Sequence, residues 1–129
     1  MKFTICGSAR FEKEYHEWNK KLGLMGHIGY SLMTFPSIEG NKTWYTDEEK
    51  ELLDLAHLAK IEESDAILVL NVGGYIGDST RREIRWAEMR EKIIYYLEPQ
   101  HFNFNKIGPS YIPGWAEFRS KYQKEKDQK

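Results

Sequence analysis

The chain carries one cysteine, four prolines and no surplus of either charge: 19 Lys and Arg stand against 20 Asp and Glu, a formal net charge of −1 over 129 residues. Each shortage excludes something. A lone Cys6 cannot close an intramolecular disulfide, which fits a reducing compartment. One cysteine also cannot complete a zinc site of the usual kind, and His16, His27, His57 and His101 lack metal-ligand spacing. No metal and no other cofactor is therefore expected. The balanced charge gives no broad basic field, so neither nucleic acid nor an anionic membrane is an expected partner. No apolar run approaches the roughly 18 residues that cross a bilayer. The apolar stretch of the N-terminal "MKFTICGSAR" is too short for a signal peptide, and a cytoplasmic protein is expected.

What is present is ordinary for a globular protein: 40% hydrophobic and 30% charged residues. The length suits a single domain, 1–129, with a core over 2–98 and an aromatic C-terminal extension over 99–129. "KFTIC" (2–6) reads as a first strand closed by Gly7 and Ser8. Phe11, Tyr15, Trp18, Leu22 and Met25 recur at spacings of three and four, predicting a helix that Gly26 ends. "HIGYSLMTF" (27–35) suggests a second strand and 36–47 a loop. A helix over 48–63 follows, capped by Thr46 or Asp47, with Leu52, Leu55 and Ala59 as its expected buried face, joined by Leu58 and Ile61. "DAILVLNV" (65–72) is a near-continuous apolar run, as in a strand covered on both faces. A loop over 72–78, a helix over about 79–91 with Asp78 or Ser79 as its cap, and a strand over 92–98 complete the series. A short helix is expected over about 114–123, and Tyr111, Ile112, Trp115 and Phe118 there should cover the sheet edge or a subunit interface.

The order βαβαβαβ predicts an α/β, doubly wound, parallel sheet of four to five strands. Ligands in such sheets sit beyond the carboxyl ends of the strands, where strand order reverses. Two segments fall there. In "CGSAR" (6–10), Gly7 and Ser8 let backbone approach a ligand, and Arg10 offers a forked guanidinium suited to phosphate. A tight turn with a solvated arginine is the plainer reading. In "NVGGYIGDSTRRE" (71–83), a glycine-rich turn leads into a helix with Glu83 about one turn in. A carboxylate opposite a phosphate loop can stabilise or trap the oxocarbenium-like sugar formed when an N-glycosidic bond breaks. A surface glutamate complementing the helix dipole is the alternative.

"CGSAR", "DAILVLN" and the glycine-rich loop running to "STRREI..A" resemble the nucleoside 2-deoxyribosyltransferase-like superfamily, nearest the 2′-deoxynucleoside 5′-phosphate N-hydrolases, over residues 2–98. The resemblance implies a flavodoxin/Rossmann-like, three-layer α/β/α fold and a homodimer or higher homo-oligomer. It implies a catalytic Glu83, with Gly7, Ser8 and Arg10 holding phosphate or sugar and Gly74, Ser79 and Thr80 as further substrate contacts. Its implied substrate is a small nucleotide or nucleoside, and its reaction is hydrolysis of a nucleoside 5′-monophosphate to base and (deoxy)ribose 5-phosphate. If a second base intercepts the sugar, the reaction becomes deoxyribosyl transfer.

Three positions depart from that pattern. His57 stands where the hydrolases carry an aspartate, and it could act as acid or base or be a satisfied helix residue. Arg85 and Gly77 replace a Gly and an Asp or Ser that relatives often carry. "GGYIGDSTRRE" is also similar, with stretched spacing, to the motif of lysine-decarboxylase-like phosphoribohydrolases that release cytokinin-type bases. A non-catalytic nucleotide-binding module is the alternative from another class. Trp44, Tyr45 and Tyr75 are loop aromatics able to stack on a base or pack on the protein, and Cys6 reads as a small strand-end residue.

Overall fold

Alternation along the strands decides which helix each strand side chain meets. The computed structural model describes residues 1–32, 45–99 and 108–123, and places four strands in one parallel sheet of order β2-β1-β3-β4. The strands are β1 (Lys2–Cys6), β2 (Ile28–Tyr30), β3 (Ala66–Val69) and β4 (Ile93–Tyr96), and helices α1 (Glu12–Leu24), α2 (Asp47–Glu63) and α3 (Asp78–Met89) alternate with them. In β3, Ala66 and Leu68 face one side with α1, while Ile67 and Val69 face the other with α2 and α3. Phe3 and Ile5 of β1 join the α1 side. Cys6 points the opposite way, into the layer built by Leu58, Ile61, Ile84 and Ala87. Helices on both faces explain why β3 has no polar position: a parallel strand covered twice has no wet side.

Most expected elements form, and the differences have physical causes. The second strand spans only Ile28–Tyr30: His27, Ser31 and Leu32 are described but lie outside it, while 33–35, most of the following loop and Trp44 lie outside the described residues. The fourth strand is Ile93–Tyr96, shorter than 92–98. Thr46 caps α2 in a reciprocal capping box with Glu49. The cap of α3 is Gly77, with no side-chain hydrogen bond, rather than Asp78 or Ser79.

The expected buried face of α2 needs correction. Leu58 and Ile61 are buried, but Leu52 and Leu55 are 67% and 54% exposed and Ala59 is exposed. Only the C-terminal half of α2 lies on the sheet. Its N-terminal half continues beyond the strand ends, where Leu53 turns toward a cavity and Leu52 and Leu55 turn away from it.

The aromatic C-terminal segment packs on the α1 side. Ile112 is buried in that layer, and Trp115 of α4 (Trp115–Phe118) stacks on Trp18 with ring centroids 6.0 Å apart. The Pro113 carbonyl lies 2.6 Å from His27 Nε2.

Candidate active site

The strand order reverses between β1 and β3, and the loops leaving these strands open a cavity of about 370 Å³. Gly7, Ser8 and Ala9 form one wall after β1. Tyr75, Gly77, Asp78, Ser79 and Thr80 form a second at the start of α3. Lys50, Leu53, Asp54, His57 and Lys60 form a third, a single stripe along α2, with Leu32 and Tyr45 completing the outline. Glu83 enters from α3.

Two features hold the first loop. The Tyr15 hydroxyl donates to the Gly7 carbonyl at 2.6 Å. Gly7 also lies against the end of β3, where an added Cβ would meet Leu70 Cβ at 3.0 Å and the Leu70 carbonyl at 3.1 Å. The glycine loop is braced differently. Buried Asn71 donates to the Glu98 carbonyl at 2.9 Å and accepts from the Glu98 amide at 2.8 Å, and the Glu98 carboxylate accepts from the Gly74 amide at 3.3 Å. Beyond that brace Gly73 and Gly74 take positive φ of 64° and 80°, which turns the chain toward Tyr75 and α3.

At the inner end, His57 Nε2 lies 3.8 Å from Glu83 Oε1, with side chains 4% and 12% exposed. Burial pushes the Glu83 carboxyl up to about 8, helped by the negative charge of Asp54 and opposed by Lys50, a hydrogen bond from Cys6 and Arg82. Burial pulls His57 down to about 4, helped by Lys60 and opposed by an interaction with the Ile5 backbone and by Asp54. Cys6 completes the group, its thiol pushed well up by burial and by Glu83. At neutral pH all three groups are therefore uncharged, and the pair's proton resides on Glu83.

Of the residues expected from sequence, the structure brings Gly7, Ser8, His57, Ser79, Thr80 and Glu83 to the cavity wall. Arg10 is not on the wall: its guanidinium lies 4.2 Å over the Tyr75 ring and 3.4 Å from the Tyr75 hydroxyl, at the rim. Gly74 is also off the wall, exposed at the base of its loop. The sequence reading missed Lys50, Asp54 and Lys60, whose spacing with His57 marks a polar stripe along α2. Lys50 pairs with Asp54 at 2.9 Å, and Lys60 donates to the Ser31 carbonyl at 2.6 Å.

No protein-family model matches the chain, and no curated protein does. Among solved structures the chain is similar to a 2-deoxyribosyltransferase from the psychrotolerant bacterium Bacillus psychrosaccharolyticus, with 14% identity, a TM-score of 0.55, and coverage of 80% of this chain and 77% of that one. The fold is thus the three-layer, parallel α/β architecture of that enzyme. No helix among the described residues is long and apolar enough to cross a membrane.

Proposed function

We propose that the protein hydrolyses the N-glycosidic bond of a nucleoside 5′-monophosphate, releasing base and (deoxy)ribose 5-phosphate. The observation that carries this reading is the Glu83 carboxyl, nearly buried beside His57 at the inner end of a cavity of nucleotide size. The fold shared with a deoxyribosyltransferase supports it, and supports placing the chain in the nucleoside 2-deoxyribosyltransferase-like superfamily near the 5′-phosphate N-hydrolases.

In this reading the resting pair holds one proton, on Glu83. Passing it to His57 creates a carboxylate and an imidazolium together. The carboxylate attacks or stabilises the sugar C1′ as the bond to the base breaks, and the imidazolium protonates the departing base. Water then releases the sugar. Gly7, Ser8, Ser79 and Thr80 hold sugar and phosphate from the wall, Arg10 adds charge at the rim, and Gly74 supports its loop. The exposed Leu52 and Leu55 support a homodimer.

The test is release of free base, followed by chromatography, from a panel of ribo- and deoxyribonucleoside 5′-monophosphates. Turnover by the wild type and none by Glu83→Ala is expected. Nucleotide binding without release by the wild type would make this a binding module. Deoxyribosyl transfer is the second reading, favoured by the activity of the structural neighbour. Adding a second free base to the assay distinguishes the two, since only a transferase yields the exchanged nucleoside.

A further inference from the structure

Behind the inner end of the cavity, β1, α2 and α3 each contribute one side chain to a compact group. One ligand atom each from Cys6, His57 and Glu83 lie within 4.8 Å of one another. Both ring nitrogens of His57 and Glu83 Oε2 are buried without a hydrogen-bond partner among the described residues. Buried polar atoms are nearly always partnered, by protein, water or ion. Unmet atoms on both His57 and Glu83, of which one ring nitrogen and one carboxylate oxygen can meet the same ligand, leave a place for a single group shared by the two side chains.

We propose that Cys6, His57 and Glu83 bind one divalent cation of the zinc class, with a fourth coordination position open to the cavity. Sulfur, imidazole nitrogen and carboxylate oxygen together suit a borderline-soft cation and disfavour magnesium or calcium. Tetrahedral bonds of about 2.0 to 2.3 Å place neighbouring ligand atoms roughly 3.4 to 3.6 Å apart. The His57–Glu83 separation of 3.8 Å is a few tenths from that value, and the widest separation of 4.8 Å closes with a side-chain shift of about an ångström.

Charge also balances. A thiolate and a carboxylate neutralise the cation while His57 stays uncharged, so the buried group remains neutral overall; the thiol and carboxyl protons leave to solvent. His57 and Glu83 line the cavity and Cys6 does not, so the open position faces the ligand space. Chain spacing conceals the site because its three ligands come from separate elements. One consequence rests on the hydrolase reading: a bound cation engages Glu83 and keeps it from the sugar, so the loaded protein is inactive.

The test uses cobalt(II) as a coloured stand-in, titrated into the full chain after chelator treatment. The expected result is saturation at one equivalent, with intense tetrahedral d–d absorption, a thiolate-to-cobalt charge-transfer band, and displacement by zinc. Cys6→Ser should abolish the charge-transfer band. His57→Ala should weaken binding by more than about 10-fold, the least effect typical of even outer-shell partners. Should Cys6→Ser fail to fold, the wild-type spectrum still decides. Weak octahedral absorption without a sulfur band, or no saturation at one equivalent, overturns the site. The readout is independent of base release, so the metal site and the hydrolase reading fail separately.

Discussion

His57 Nε2 and Glu83 Oε1 lie 3.8 Å apart, and the two groups are displaced in opposite directions, to about 4 and about 8. One proton is therefore shared by the pair across the physiological range, and in the proposed reaction both side chains draw on it.

The first expected outcome is a bell-shaped rate profile. With chelator present, and after correction for the substrate phosphate's own ionisation near about pH 6, kcat/KM should fall below about 4, where the pair gains a second proton, and above about 8, where it loses its only one. His57→Asn should remove the alkaline fall, leaving a slow rate that rises as Glu83 ionises. Glu83→Gln should lose at least about 10³-fold in kcat.

Stability should also depend on pH. Unfolded Glu83 loses its proton near 4.5 and folded Glu83 near 8, so the unfolded chain holds fewer protons between those values and stability falls as pH rises. His57 acts oppositely, favouring the folded state as pH rises, but only between about 4 and 6.5. From pH 6.5 to 8 the Glu83 effect stands alone, on the order of 2 kcal/mol. Urea unfolding of metal-free wild type and Glu83→Gln should show that loss in the wild type only.

Thr46→Ala removes the hydroxyl that accepts from the Glu49 amide at 3.1 Å. A loss of about 1 kcal/mol is expected in the same urea titrations. Because α2 carries one cavity wall, activity should fall more steeply with temperature in this variant.

Gly7→Ala sets a methyl 3.0 Å from Leu70 Cβ. Overpacking of this kind costs about 1 to 3 kcal/mol. The displaced loop should lower kcat while the circular dichroism spectrum keeps its α/β form.

Arg10 sits at the rim against Tyr75, where a phosphate would draw it away from the ring. Arg10→Ala should raise KM for the 5′-monophosphate by about 10-fold or more, the weight of one charge-assisted hydrogen bond, with little effect on the unphosphorylated nucleoside. Equal effects on both substrates would remove Arg10 from phosphate recognition.

The sequence made the fold readable because β3 is uniformly apolar and the first two helices carry clear breaks, at Gly26 and Thr46; the cap of α3 fell one or two residues from the one expected. Glu83 and His57 were legible from a strand-to-helix loop and a family pattern. Leu52 and Leu55 misled because periodicity reports apolar spacing, and cannot tell where a helix leaves its sheet. The Cys6–His57–Glu83 group was hidden for a related reason: Cys6 meets the others only because it falls on the α2 and α3 side of β1, a property of the pleat. The polar stripe of Lys50, Asp54, His57 and Lys60 was visible as helical spacing, but only the cavity shows why it is polar.

The paired hydrogen bonds between Asn71 and Glu98 imitate one more rung of the sheet beyond the ends of β3 and β4. They fasten the root of the glycine loop to the framework, while Tyr75 at its tip is exposed on the cavity wall, clear of that fastening. Substitutions at the tip can therefore reshape the cavity mouth without moving the carboxyl behind it. On the proposed reading, a lineage carrying this brace could exchange one base for another by altering Tyr75, with Glu83 left where it stands.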